Sequence, residues 1–160
     1  MDVLKWVREQ DPPCSWNEQT CASAAQNGHL NVLLWAREND CPWDEWTCLG
    51  AAFGGHLEVL KWVRAQNPPC PWNEDTCAMA AKKGHLNVLL WAREQNPPCP
   101  WDENTCTEAV EGGHLNILKW LRENGCPWNE FTCFESIQKK HSKVLCRAIE
   151  NKCPNYEYFI

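Results

Sequence analysis

One block of sequence is written five times in this chain, and a repeat of that length leaves few folds open. Each copy begins Trp-Asn/Asp-Glu-x-Thr-Cys and, in the first four copies, passes through Gly-His and reaches Trp-x-Arg. The anchors are Trp16, Trp43, Trp72, Trp101 and Trp128. Trp16 to Trp43 and Trp101 to Trp128 are 27 residues apart, whereas Trp43 to Trp72 and Trp72 to Trp101 are 29. The two extra residues lie in the connectors Asn67-Pro-Pro-Cys70 and Asn96-Pro-Pro-Cys99. A unit this short cannot bury a hydrophobic face alone, so the copies must stack on one another.

Within a block the spacing predicts two helices. In the second block Asp44 is an N-cap, Glu45 sits in the favourable first turn, and Cys48, Ala51 and Ala52 follow at i, i+3, i+4. Gly55 ends that helix. A second helix runs from about Leu57 to Ala65 with Val59, Leu60 and Val63 on one face, and Asn67-Pro-Pro stops it. No segment alternates with period two. The expected fold is all-α, a solenoid of stacked helix-turn-helix units. Isolated helices below about 12–15 residues are marginal in water, so stacking must supply the stability.

These residues resemble the ankyrin-repeat family. Gly55-His-Leu-Glu-Val-Leu60 is similar to the start of the second ankyrin helix, and Ala51-Ala52 matches the small pair that lets its helices approach. Trp46-Thr-Cys stands where ankyrin has Thr-Pro-Leu, and Gly125-Cys-Pro-Trp-Asn129 where it has Gly-Ala-Asp-Val-Asn. The resemblance covers nearly the whole chain. Ankyrin repeats have about 33 residues, and the shortfall falls between Trp43 and Thr47, so the resemblance implies shortened or absent β-hairpins. The Cys-Pro-Trp-Asp/Asn-Glu variety resembles repeats abundant in algal, oomycete and giant-virus proteins. On this register the chain is a single domain: a half repeat at 1–13, repeats at 14–40, 41–69, 70–98, 99–125 and 126–152, and a tail at 153–160. Asp2-Val-Leu-Lys-Trp6 aligns with a second helix whose first helix is missing. Lys140 before His141, Ser142 for the recurrent Leu and Arg147 for the recurrent Trp give the last block the look of a polar cap.

Twelve Cys and eleven Trp need explanation in a chain with four Phe and two Tyr. The in-register cysteine pairs are Cys14/Cys21, Cys41/Cys48, Cys70/Cys77, Cys99/Cys106 and Cys126/Cys133, the second of each followed eight residues later by His. A Cys at the head of a helix and a His eight residues on lie about 12 Å apart and cannot share one ion. Buried free thiols are therefore expected, with no metal and no cofactor. The His after Gly is expected to bond across the turn, as the resemblance implies. The ten recurrent Trp, in the loop and in the second helix, are expected to be core, each contributing roughly 5 kcal/mol at ~25 cal/mol per Å².

Function is sought at the positions where the copies differ. One slot of the first helix holds Gln19, Trp46, Asp75, Asn104 and Phe131; the next Ala22, Leu49, Ala78, Thr107 and Phe134; then Ser23, Gly50, Met79, Glu108 and Glu135. A turn later come Gln26, Phe53, Lys82, Glu111 and Gln138. Their spacing puts them on one helix face, the face that lines the concave surface in ankyrin proteins. The candidate partner-binding residues are Trp46, Leu49, Phe53, Met79, Lys82, Glu108, Phe131 and Phe134, since exposed aromatics are the usual anchors.

The expected function is a non-enzymatic scaffold that binds a protein partner. A permanent subunit of a larger assembly is the alternative, and a zinc- or redox-responsive module a third. The net charge of −6 and pI near 5.4 argue against nucleic acid. No phosphate-binding Gly loop, metalloprotease His motif or nucleophile elbow marks an enzyme or a small-molecule substrate. Apolar stretches such as Asn31-Val-Leu-Leu-Trp-Ala36 are too short to insert in a membrane, and residues 1–20 lack a signal-like region, so an intracellular, cytoplasmic protein is expected.

Overall fold

A computed structural model describes residues 2–129 and Thr132, and within them the chain is all-helical, with no strand. The helices are α1 Asp2–Arg8, α2 Glu18–Gln26, α3 Leu30–Glu38, α4 Glu45–Gly54, α5 Leu57–Arg64, α6 Glu74–Lys83, α7 Leu86–Glu94, α8 Glu103–Glu111 and α9 Leu115–Glu123. Phe131, Phe134, the tail and most of the fifth block lie outside the described residues.

The local rules act as the spacing predicts. The Asn17, Asp44 and Asp102 side chains cap α2, α4 and α8 by accepting from the backbone N–H of Gln19, Trp46 and Thr105. At Asn17 and Asp102 the threonine three residues on bonds back to the cap, closing a reciprocal pair. A glutamate follows each cap and faces the positive end of the helix. At the far end of α4, Gly55 takes φ 74°, a left-handed conformation that turns the chain into α5.

Packing follows the blocks. Each alanine-rich first helix lies on the second helix of its own block, α2 on α3, α4 on α5, α6 on α7 and α8 on α9. The first helices also pack on one another in sequence, α2 with α4, α4 with α6 and α6 with α8. Leu33, Leu60, Leu89 and Ile117 are fully buried at the heart of this arrangement. Truncating one such leucine to alanine costs about 2–5 kcal/mol.

The tryptophans differ from the expectation of core residues. None is fully buried; Trp6 is 61% exposed, and eight others are half-buried rings packed on the outside of the core. They form an outer ladder: Trp16 meets Trp35 edge-to-face, and Trp43–Trp62, Trp72–Trp91 and Trp101–Trp120 repeat that geometry with centroids 5.5–6.1 Å apart. The loop Trp is covered on its other side by an arginine of the preceding second helix, Arg37 over Trp43 at 4.2 Å and Arg64 over Trp72 at 3.9 Å. The same arginines donate to the carbonyls of Cys41 and Cys70 and so clamp the connectors. A ring with a cation on one face and another ring at its edge serves better half-wet than buried, because a buried guanidinium would lose its hydration.

Candidate protein-binding face

The face built from the variable positions divides in two. Trp46, the residue after Glu45 at the head of α4, is 56% exposed. Leu49 and Phe53 of the same helix and Met79 of α6 are half-buried, so four of the candidate apolar residues reach solvent on neighbouring helices. Ala22 and Ala78, which share a slot with Leu49, are buried at 5% and 0% exposure. Gly50 is also buried, and a Cβ there would stand 2.7 Å from the Ala22 carbonyl oxygen. Variation at these positions therefore reflects the close approach of first helices, not freedom from the scaffold. Sequence spacing cannot separate the two, because a contact face between helices and a solvent face lie within one helical turn of each other.

The charged candidates are engaged with one another. Lys82 Nζ lies 2.9 Å from Glu111 Oε2 and 3.0 Å from Glu108 Oε2, tying α6 to α8. These bonds, that with Glu111 foremost, raise the Lys82 pKa and hold it charged. Burial pushes the Glu108 carboxyl up and outweighs the opposing effect of Lys82. Lys83 sits 4.4 Å over the Phe53 ring and links α6 to α4. The strip thus offers an apolar end at Trp46, Leu49, Phe53 and Met79 and an ionic end in which Lys82 bridges the two carboxyl groups of Glu108 and Glu111.

Histidine and cysteine serve the junctions between blocks. The imidazoles of His85 and His114 bond through Nε2 to the carbonyls of Phe53 and Lys82, each at 3.1 Å, in the helix one block earlier. The cysteines pair across blocks instead of within the register pairs seen in sequence. Cys41 Sγ donates to the Asn17 carbonyl at 3.5 Å and Cys70 Sγ to that of Asp44 at 3.3 Å, while Cys21 and Cys48 reach towards the carbonyls of Cys41 and Cys70. Of the nine described cysteines, Cys14 is exposed and the other eight are buried. Burial, foremost, pushes the Cys21 thiol up to about 12 and also raises that of Cys41. Among the described residues no group of three or more His, Cys, Asp or Glu side chains lies together to hold a metal ion.

An open groove of about 380 Å³ lies on the second-helix side, between Leu34, Arg37, Trp43, Trp62 and Pro68. Sequence reasoning did not single out the arginines that floor this side, although their fixed place two residues after each helical Trp was the available signal. No helix among the described residues is long and apolar enough to cross a membrane. Compared with models of protein families and with curated proteins, the chain matches none.

Proposed function

We propose that this chain is a non-enzymatic, ankyrin-like helical solenoid whose first-helix face holds a protein partner. The observation that carries the reading is Trp46, a large aromatic more than half exposed, with Leu49, Phe53 and Met79 beside it on packed, rigid helices. A soluble protein rarely keeps such a patch without use, and an aromatic held on a stiff element loses little entropy on binding. The Lys82–Glu108–Glu111 cluster at the other end of the strip would set orientation more than affinity.

The ankyrin-like assignment rests on the five sequence blocks, on two helices in each fully described block, and on the succession of first-helix contacts. A second reading, a permanent subunit of a larger assembly, draws on the same exposed aromatic strip at Trp46. Affinity capture from the source, with wild type beside a Trp46→Ala/Phe53→Ala variant whose circular dichroism is unchanged, tests the strip. Partners retained by wild type and lost by the variant are expected; equal capture by both would remove the strip from the function. A partner that survives extensive washing and co-purifies at fixed stoichiometry would favour the permanent subunit.

A further inference from the structure

The eight buried cysteines among the described residues meet in four pairs, one at each junction between blocks. Cys70 Sγ donates to the carbonyl of Asp44, the N-cap of α4, at 3.3 Å, and Cys48, one turn along the same helix, turns its Sγ to the Cys70 carbonyl at 3.7 Å. The two side chains thus reach towards each other, and their thiols hydrogen-bond. Cys21 with Cys41, Cys77 with Cys99 and Cys106 with Cys126 repeat that contact. Arg37, Arg64, Arg93 and Arg122 donate to the carbonyls of Cys41, Cys70, Cys99 and Cys126 and hold the connector half of every pair in place.

Apolar packing alone does not demand sulfur at all eight places, because a buried thiol fills space much as a small hydrophobe does. A neighbouring core slot shows the latitude that packing allows: Ala36, Val63, Ala92 and Leu121 share it at 0–1% exposure and differ in size from copy to copy. The cysteine slots, equally buried, do not vary among these four junctions. We propose that Cys21–Cys41, Cys48–Cys70, Cys77–Cys99 and Cys106–Cys126 are sites of disulfide formation, each bridge stapling a first helix to the connector of the next block, with a low-molecular-weight disulfide as oxidant.

In the first step one cysteine of a pair loses its proton to water and attacks the small disulfide, whose departing half leaves as a thiolate and takes up a proton. The paired cysteine, deprotonated in turn, attacks the protein sulfur of the mixed disulfide, closes the protein S–S bond and releases the second half. Two protein thiols are oxidised and one small disulfide is reduced to two thiols. Burial holds these thiols protonated, so exchange passes through local opening of the connector, and reclosure brings the partner cysteine to the mixed disulfide ahead of any other. The bridges join cysteines 20 or 22 residues apart and so constrain the unfolded chain. The inference is independent of the Trp46 strip.

The test incubates the full-length reduced protein in native buffer with excess hydroxyethyl disulfide, alkylates the remaining thiols in denaturant and maps the digest by mass spectrometry without reduction. A parallel sample oxidised in unfolding urea shows that the oxidant is active and supplies the unselective pairing pattern. In native buffer the four named bridges are expected to exceed every other pairing of these eight cysteines at least about tenfold, and the urea midpoint of the oxidised protein to rise above that of the reduced. Cys48→Ala should abolish the bridge to Cys70 and leave the other three. Thiols that stay reduced in native buffer while the unfolded chain is oxidised, mixed disulfides that persist at these cysteines, or native pairings as scrambled as those in urea overturn the proposal.

Discussion

Replacing Gly55 by alanine separates two reasons for a glycine at a helix end, because the molecule contains its own control. Gly55 has φ 74° and Gly125 φ 79°, so an alanine at either place bears the left-handed strain, about 1–2 kcal/mol. At Gly125 the new Cβ meets nothing within 4 Å among the described residues, whereas at Gly55 it would stand 2.5 Å from the His85 ring. Relieving that contact means moving the ring away from the Phe53 carbonyl, to which it bonds at 3.1 Å. Overpacking and the lost hydrogen bond together bring Gly55→Ala to about 3–6 kcal/mol, against about 1–2 for Gly125→Ala. In a His85→Ala background the clash is gone and Gly55→Ala should cost only the strain, so the double-mutant cycle should show coupling above about 1.5 kcal/mol. Urea unfolding followed by tryptophan fluorescence and by far-UV circular dichroism provides the assay, with coincident curves as the check on cooperativity. Equal costs at Gly55 and Gly125, or a Gly55 cost unchanged by His85→Ala, would refute the account of imidazoles seated on glycines.

The buried thiols predict alkaline sensitivity. Cys21, Cys41, Cys48, Cys99 and Cys126 are all raised above 9.0, so their stabilising effect is complete below that value and is lost as pH rises through it towards the folded-state values. Each thiol steepens the loss by up to about 1.4 kcal/mol per pH unit, and urea midpoints at successive pH values should show Cys21→Ala flattening the slope by that amount. Lys82→Met should cost about 1 kcal/mol at low salt by leaving Glu108 and Glu111 facing each other, and clearly less in 1 M salt by thermal melts; a salt-independent cost would exclude an ionic origin. Asp40 holds φ 61° at the place where Gly125 stands three blocks later in register, so Asp40→Gly should stabilise the protein by about 0.5–1 kcal/mol in the same melts.

Much of the helical layout was legible in the chain because it depends on neighbours a few residues away. The cap Asp44, the stop at Gly55 and the apolar face Val59, Leu60 and Val63 all follow from local bonds and a 3.6-residue period. The half-buried Trp ladder was not legible. A repeated aromatic signals constraint, but whether it satisfies that constraint inside the core or under an arginine on the outside depends on where the next connector runs. The same holds for the cysteines, whose partners are 24 to 26 residues away at the N-cap carbonyls of another block. It holds for the candidate strip too, where Trp46 is exposed while Gly50, one turn on, is pressed against the Ala22 carbonyl. By itself the sequence determined the blocks, the helices and their ends, since hydrogen bonding and periodicity act along the chain. Only the tertiary structure decided which face of each helix meets its neighbour and which meets water, since that is set by the distance and rotation between helices, which no single block encodes.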